Sequence, residues 1–294
     1  MEGQAIGLIG VGLMGHGIAS NIAKKGYSLA ILNHEGNQPV DDLIAQGVRV
    51  CDTVEVLAQS VDIIVLCVTG TPQIEQIMYQ QGLLTSLRKG TVIIDCSTAL
   101  PHSSVAIAQA VQAAGGFFID APMTRTPKEA AEGRLNLIVG GSEEIFLRVK
   151  PLLESFAENI SYAGSVGSGH RLKLIHNFVS LGFTAVLSEA IAAARRAEIA
   201  PEVLLDVLDK GGGNSVVLNR LKPYMLSDDD ASFRFALSNA HKDLTYYTQM
   251  ADDTADCQQM AAAVKQLFKQ CLEVKPDAVL TEIIPLMAEQ GNQL

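Results

Sequence analysis

Four polar side chains recur along one face of an apolar helical segment of this sequence. They are Lys173, His176, Asn177 and Ser180. Their spacing of i, i+3, i+4 and i+7 places them on one side of a helix. A buried lysine is costly unless it is paired or lines a wet cavity, so Lys173 is a candidate for proton transfer to a carbonyl oxygen or from an alcohol. Asn177, one turn later, could orient the lysine or the substrate. The alternative is an ordinary polar stripe that faces solvent.

A second set of residues, near the start of the chain, has the spacing of a nucleotide cradle. The segment "AIGLIGVGLMGHGIASNIAKKGYSLAILN" places Gly10, Gly12 and Gly15 between a short apolar run and a helical pattern. In that setting Gly10 makes a tight turn, Gly12 admits a pyrophosphate close to the backbone and Gly15 lets the helix pack on the strand. Leu13 and Met14 complete the turn. The alternative is a tight turn with no ligand.

The residues at the end of the next apolar run should contact the adenosine ribose of such a cofactor. An acid at this point favours NAD and a cation favours NADP. Here Asn33 and His34 occupy these positions, and no Lys or Arg occurs between Lys25 and Arg49. The cofactor is therefore NAD or NADP, and the nearby acids favour NAD because they would repel a 2′-phosphate.

Short apolar runs alternate with helical patterns through the first half of the chain, which predicts a doubly wound parallel sheet. The runs are Ala5 to Ile9, Leu29 to Leu32, Val61 to Val68, Thr91 to Ser97, Gly116 to Asp120 and Leu135 to Gly141. Ligands of open sheets lie at the carboxyl ends of the strands, so we expect Val68, Thr69 and Thr98 to contact the cofactor.

From Gly164 onward the sequence contains helical patterns and no convincing strand. These patterns cover about 170–196, 201–208, 215–225, 240–250, 256–273 and 277–290. We therefore predict an α/β fold in which a Rossmann domain, residues 1–163, precedes an all-helical domain, residues 164–294. The long helix that joins them is apolar around most of its circumference, so we expect it to be largely buried. Its polar stripe would then face the interdomain cleft near the nicotinamide.

Composition and charge argue against a nucleic-acid-binding protein, a metalloprotein and a membrane protein. The chain has 294 residues and a net charge of −10, which disfavours a nucleic-acid partner. Its five cysteines lack metal-ligand spacing, so we expect no metal site, and they are interpreted as buried free thiols. We find no signal peptide and no membrane span, and expect a cytoplasmic protein.

Four motifs together resemble the β-hydroxyacid dehydrogenase family over essentially the whole chain. They are "GLIGVGLMG", "DAPMTRTPKEAAEGRLNLIVGG", "GSVGSGHRLKLIHNFV" and "HKDL". The resemblance implies that Lys173 is the catalytic acid/base with Asn177 beside it, and that Lys242 of the KDL motif lies near the cofactor. It also implies a small β-hydroxy acid or its semialdehyde as substrate, and a homodimer or homotetramer.

The substrate loop departs from the family's commonest sequence, DAPVSGG. Thr124, Arg125 and Thr126 stand where that pattern has Ser and two glycines. An arginine offers a fork of donors that suits a carboxylate, sulfonate or phosphate. Alternatively, Arg125 faces solvent or pairs with an acid such as Glu129.

An Arg-Thr loop resembles that of 3-sulfolactaldehyde reductase, a member of the family. The resemblance implies that Arg125 and Ser180 bind the sulfonate, together with an asparagine that is His176 in this chain. His176 could contact a different anionic tail or be a core imidazole.

Two other classes remain open from the sequence. One is a catalytically silent dinucleotide-binding sensor or scaffold, which the retention of Lys173, Asn177 and Lys242 disfavours. The other is an imine reductase, whose relatives share the fold but usually replace the lysine.

Overall fold

The computed structural model describes residues 3–290. Two compact units divide the chain, Met1–Lys173 and Leu174–Leu294. The predicted domain boundary at residue 163/164 stays a prediction, and residues 1–2 and 291–294 of the predicted domains lie outside the described part. The first unit contains the Gly-rich turn, the substrate loop and Lys173, and the second contains Asn177 and Lys242.

The first unit is built around a nine-stranded sheet. Its strands are β1 (Ala5–Ile9), β2 (Ser28–Leu32), β3 (Arg49–Cys51), β4 (Ile63–Leu66), β5 (Val92–Asp95), β6 (Phe117–Asp120), β7 (Met123–Thr124), β8 (Leu135–Gly140) and β9 (Ala157–Gly164). The order β3-β2-β1-β4-β5-β6 is parallel throughout. This is the order of a dinucleotide-binding sheet, in which β1 and β4 flank the switch point.

The far edge of the sheet changes direction. β8 pairs antiparallel with β6 and with β7, and β9 pairs parallel with β8. The antiparallel turn between β6 and β8 brings the substrate loop, which contains β7, back over the end of β8.

Eight helices and one π-helical turn lie between the strands of the first unit. They are α1 (Leu13–Lys24), α2 (Asp41–Ala45), α3 (Val54–Ser60), α4 (Thr71–Glu75), the π turn Gln76–Gln80, α5 (Leu83–Ser86), α6 (Pro101–Ala113), α7 (Pro127–Ala131) and α8 (Glu143–Leu153). Two apolar clusters form the core, one on each face of the sheet, and β4 contributes Val65 to one cluster and Ile64 to the other. The doubly wound prediction is confirmed.

The long helix α9 (Ser168–Arg196) begins in the first unit and continues into the second. The second unit then consists of α10 (Pro201–Asp209), α11 (Val216–Ser227), a 3₁₀ turn (Ala231–Phe233), α12 (Leu237–Thr254), α13 (Gln259–Val274), a 3₁₀ turn (Leu280–Glu282) and α14 (Ile283–Gln290). Within its described part, extended pairing is limited to an isolated bridge between Ala236 and Val279. The prediction of a helical C-terminal domain is confirmed.

One helix among the described residues, α9, is long and apolar enough to cross a membrane by length and composition. Half of its most apolar 18-residue window is buried in the structure. Core helices of soluble proteins pass the same test, so a single helix of this kind is weak evidence of a membrane span.

Candidate functional site

The Gly-rich turn contains glycines with two different structural roles. Gly10 has a φ of 96°, and a Cβ there would lie 2.3 Å from the carbonyl oxygen of Cys67. A Cβ on Gly15 would lie 1.9 Å from the carbonyl oxygen of Gly10. Both positions therefore exclude a side chain because the turn and the packing of α1 on the sheet leave no room.

Gly12 is different because the protein itself leaves space there. A Cβ on Gly12 would meet no heavy atom within 4 Å, and its φ of −77° is accessible to any residue. Gly12 is also the N-cap of α1, which has no side-chain cap and no acid in its first turn. The open space and the uncapped amides suit a pyrophosphate, so the residues present fit NAD or NADP. Leu13, 67% exposed, and the half-buried Met14 follow directly.

The segment after β2 leaves the two predicted ribose readers on the surface. Asn33 and His34 are both exposed, and His34 Nδ1 accepts a hydrogen bond from the Gly36 amide at 2.9 Å. Asn37, which no sequence pattern indicated, links this segment to the glycine turn. Its Oδ1 accepts a hydrogen bond from Val11 N at 3.1 Å, and its Nδ2 donates to Leu32 O at 2.9 Å. Asn37 therefore fixes the approach of the two loops that would hold the adenosine.

The ends of β4 and β5 meet beside the turn, as expected for parallel neighbours. The amide of Val68 donates to Ser97 Oγ at 3.0 Å, which joins the two strand ends. Val68 and Thr98 are half-buried, and Thr69 is exposed. These predicted cofactor contacts therefore lie at one edge of the sheet, the edge that also contains Gly10.

Asp120 of the substrate loop has a structural role in the first unit. Its buried carboxylate accepts hydrogen bonds from the amides of Gly167 at 2.7 Å and His170 at 2.8 Å, and so caps the N-terminus of α9. A carboxylate at a helix N-terminus satisfies amides that the helix cannot. Asp120 thereby fixes the first turn of the helix that carries Lys173.

The loop residues Thr124, Arg125 and Thr126 are each held by local contacts. Thr124 ends β7, and its Oγ1 accepts from Asn136 Nδ2 at 3.2 Å. Thr126 is the N-cap of α7 in a capping box with Glu129, whose carboxylate accepts from the Thr126 amide at 3.0 Å. Glu129 is thus committed to the capping box.

Arg125 occupies an unusual backbone conformation for a residue with a side chain. Its φ is 85°, in the region that favours glycine. Its guanidinium pairs with Glu158 and donates to the carbonyl of Arg134. The hydrogen bond from Arg125 lowers the pKa of the Glu158 carboxyl. The acid beside Arg125 is therefore Glu158 of β9, a residue that sequence proximity could not identify.

Two residues that were not singled out from the sequence hold α7, which follows the predicted substrate loop, against α1. A Cβ on Gly17 of α1 would lie 2.5 Å from the carbonyl carbon of Ala130 in α7. Asn21, one turn later, donates through Nδ2 to Ala130 O at 2.9 Å. The third glycine of "GLMGHG" was the available signal for this close helix contact.

The polar stripe on α9 is buried at two of its four positions. Lys173 and Asn177 are buried, Ser180 is half-buried and His176 is exposed. Lys173 lies one helical turn before Asn177 on the same continuous helix. The residue types predicted to act in proton transfer and in orientation therefore share one face of α9.

Asn177 is held by the KDL segment of α12 in the second unit. Its Nδ2 donates to the buried Asp243 Oδ2 at 2.6 Å, and its Oδ1 lies 3.0 Å from His176 Nδ1. Because Asn177 Oδ1 can only accept, His176 Nδ1 carries the hydrogen in this contact. Lys242 Nζ lies 3.0 Å from Asp243 Oδ1 and 5.0 Å from the centroid of the Tyr246 ring. Asp243, which the resemblance places in the KDL motif beside Lys242, therefore connects Asn177 with Lys242.

The prediction that most of α9 is buried is wrong for one face. Five apolar side chains of the helix are 41–62% exposed: Leu172, Ile175, Val179, Phe183 and Val186. On the opposite side of α9, which carries Lys173 and Asn177, the polar residues Thr184 and Ser188 are also buried. Apolar periodicity identified the helix correctly but could not distinguish a face buried within the chain from one left at its surface.

The cysteines and acids form no metal centre within residues 3–290, where no group of three or more His, Cys, Asp or Glu is arranged to hold an ion. Burial, and then the nearby Asp95 carboxylate, raise the pKa of the Cys67 thiol to about 12, so this thiol stays protonated at neutral pH. Cys51, Cys96 and Cys271 are buried and Cys67 is half-buried. Cys257, in the turn between α12 and α13, is exposed, so the prediction of buried thiols is wrong at that position.

The fold and the glycine turn are those of a dinucleotide-binding protein, and comparisons with known proteins identify its class. Residues 5–164 match a sequence profile of the NAD-binding domain of 6-phosphogluconate dehydrogenase. Residues 167–286 match that of the NAD-binding domain of NADP-dependent 3-hydroxyisobutyrate dehydrogenase.

Individual relatives match over nearly the whole chain. A 2-hydroxy-3-oxopropionate reductase of Escherichia coli is 32% identical over 90% of both chains. A 2-(hydroxymethyl)glutarate dehydrogenase of Eubacterium barkeri is 29% identical over 90% of this chain and 88% of the relative. A solved 3-hydroxyisobutyrate dehydrogenase of Mycobacterium tuberculosis has the same fold, with a TM-score of 0.87, 21% identity and coverage of 97% and 99%.

The chain belongs to the β-hydroxyacid dehydrogenase family. It is an NAD(P)-dependent oxidoreductase.

Proposed function

We propose that the protein interconverts a small β-hydroxy acid and its semialdehyde, with Lys173 as the general acid/base. A buried lysine, one turn from a buried asparagine on the same helix face, carries this proposal. A bound NAD(P)H would supply the hydride, and in the reductive direction Lys173 supplies the proton to the carbonyl oxygen. Asn177 orients the substrate or the ammonium group. In the oxidative direction Lys173 withdraws the proton from the alcohol.

The cofactor would lie on the uncapped N-terminus of α1, with Gly12 admitting the pyrophosphate. Leu13, Met14, Val68, Thr69, Thr98 and Lys242 are the other proposed contacts. We favour NAD because Asn33 and His34 offer no fixed cation to a 2′-phosphate while Glu35 and Asp41 lie close by in the sequence. The relatives include enzymes named for small hydroxy acids and semialdehydes, which supports a substrate of that class.

Arg125 is the proposed determinant of the substrate's tail. Arg125 adopts a φ of 85°, a backbone conformation that is strained for an arginine and unstrained for a glycine. Backbone strain of this kind is concentrated in functional loops. In the structure the guanidinium pairs with Glu158, so binding of an anionic tail requires the arginine to exchange that partner or share it. Thr124, Thr126, His176 and Ser180 are the other residues proposed from the sequence for this tail. An anionic aldehyde is the substrate class that they suit, with 3-sulfolactaldehyde as a second candidate.

We also propose a cytoplasmic homo-oligomer in which the exposed apolar face of α9 is covered by a second copy. A row of five apolar side chains on one helix supports an interface between copies. Light scattering after size exclusion tests this, because Val179→Lys should shift the protein to monomer. A wild-type monomer would refute it.

A substrate panel tests the proposed activity. Oxidation of NADH and of NADPH is followed by absorbance with 3-sulfolactaldehyde, succinic semialdehyde, tartronate semialdehyde, glyoxylate and methylmalonate semialdehyde. We expect turnover of one anionic aldehyde, faster with NADH than with NADPH. Tight NADH binding without turnover of any short aldehyde or hydroxy acid would instead favour a silent dinucleotide-binding protein.

A further inference from the structure

A buried histidine that none of the roles above uses lies at the start of α9. The side chain of His170 is fully buried, between Asp95 at the end of β5 and Asp120 at the end of β6. Its Nε2 lies 3.8 Å from Asp95 Oδ2, and its Nδ1 lies 3.8 Å from Asp120 Oδ2. Burying an imidazole and two carboxylates in the interior costs free energy unless these groups are hydrogen-bonded. The hydrogen bonds of His170 therefore indicate what its side chain does.

Both ring nitrogens of His170 have hydrogen-bond partners. Nε2 lies 3.2 Å from the carbonyl oxygen of Ser97, and Nδ1 lies 2.8 Å from Ser104 Oγ. A carbonyl oxygen can only accept, so Nε2 carries a hydrogen and donates it to Ser97. Together the two contacts fix the orientation of the ring on α6 and on the strand end.

Ser97 belongs to the segment that would receive the cofactor. Its hydroxyl oxygen accepts from the amide of Val68 at 3.0 Å, and its own amide donates to Asp95 Oδ1 at 2.9 Å. Val68 and Thr98 are proposed cofactor contacts. The hydrogen bond from His170 to Ser97 O therefore holds the backbone segment that Val68 and Thr98 flank, where the cofactor would bind.

His170 also stands three residues before Lys173 on the same helix. Its backbone amide is held by Asp120 Oδ2 at 2.8 Å, so the first turn of α9 is fixed independently of the imidazole. The side chain adds something that Asp120 does not supply, a direct connection from this turn to the end of β5. All of these contacts lie within the first unit.

We propose that His170 is a positioning residue that sets the distance between the Ser97–Thr98 segment and Lys173. Hydride and proton must reach the two atoms of one carbonyl group, and the reaction rate depends steeply on that alignment. The hydrogen bond from His170 Nε2 to Ser97 keeps the Ser97–Thr98 backbone, where the cofactor would bind, in register with the helix that carries Lys173. The proposal rests on the proposed role of Lys173.

Two conservative variants separate the contacts of the imidazole. In His170→Gln the side-chain amide extends to the position of Nε2 and can still donate to Ser97. In His170→Asn the amide reaches only the position of Nδ1, so it keeps Ser104 as a partner and loses Ser97. Both variants keep a buried polar group among the same carboxylates, which makes them matched in cost. The exposed His102 of α6, as His102→Gln, is the control.

Three measurements are made on each variant. Calorimetric titration with NADH gives the affinity and the number of binding-competent sites, and turnover is then expressed per competent site. The amide resonances of Ser97 and Thr98 in the cofactor-free protein report the hydrogen bond directly. We expect His170→Asn to lower kcat per competent site by about 10- to 100-fold and to shift both resonances. His170→Gln should stay within about threefold of wild type, with resonances near those of the wild type.

The proposal is overturned if His170→Asn keeps wild-type turnover per competent site, or if the Gln variant is impaired as severely as the Asn variant. A histidine that only stabilises the fold would lower the number of competent sites and leave turnover per site unchanged. Failure of the proposed catalytic role is recognised separately, because Lys173→Ala would then remain active while the resonances of Ser97 still respond to His170→Asn.

Discussion

Replacing Gly12 or Gly15 by alanine separates the two roles of the glycine turn. At Gly12 an added methyl meets no atom of the protein within 4 Å, and the backbone angle suits alanine. We therefore expect Gly12→Ala to change the free energy of unfolding by less than about 1 kcal/mol. At Gly15 the methyl would lie 1.9 Å from a backbone carbonyl oxygen, and we expect destabilisation of about 3 kcal/mol or more.

The affinity of the folded protein for NADH should show the opposite order: Gly12→Ala should weaken NADH binding more than Gly15→Ala does. A methyl on Gly12 occupies the space through which the pyrophosphate approaches the amides of α1. Loss of one such charge-assisted hydrogen bond costs about 1.5–3 kcal/mol, which corresponds to roughly 10- to 150-fold weaker binding of NADH.

Urea unfolding followed by circular dichroism and calorimetric titration with NADH measure the two quantities. A stable Gly12→Ala protein that binds NADH as tightly as wild type would refute the assignment of this turn as the pyrophosphate site.

Further predictions concern the second unit and the substrate loop. Asp243→Asn removes the charge from a buried hydrogen bond to Asn177, and should lower the free energy of unfolding by about 1–3 kcal/mol in urea titrations. Arg125→Gly relieves a φ of 85° but loses the contact with Glu158, so we expect stability within about 1 kcal/mol of wild type and a KM for the anionic substrate raised about tenfold or more. Burial, and then nearby lysines, lower the pKa of His241 below 6.5. The unfolded chain therefore binds more protons than the folded protein, so the free energy of unfolding falls as pH decreases below 6.5. Urea titrations at neutral and at mildly acidic pH should show a smaller fall in His241→Gln than in wild type.

Each of these outcomes has a clear contradiction. Unchanged stability in Asp243→Asn would mean that the charge of Asp243 does not hold Asn177. An unchanged KM in Arg125→Gly would show that this arginine is not the clamp for the tail. An equally steep fall in stability at acidic pH in His241→Gln would assign the effect to another group.

The sequence predicted those parts of the fold that have a strong local signal. Gly10 and Gly15 mark the first turn because backbone atoms crowd both positions, and buried parallel strands such as β4 are continuous apolar runs. Strands β3, β7 and β9 were missed. β3 and β7 have only three and two residues, and Ala157 is the one buried residue of β9, so none of these strands produces the apolar run of a buried strand.

The site residues were predictable where one helix sets their spacing, as for Lys173 and Asn177. Partners brought together by the fold were not. Glu158 lies 33 residues from Arg125, and Asp243 lies 66 residues from Asn177. No local pattern encodes such pairs, because sheet pairing and helix packing determine them.

The most direct test of the central claim is the turnover of Lys173→Ala with the aldehyde that the wild-type protein reduces, measured beside its affinity for NADH. The proposed acid/base role predicts that kcat falls by about 10²- to 10⁴-fold while the dissociation constant for NADH stays within about twofold. A variant that keeps its turnover would contradict the assignment of Lys173 as the proton donor.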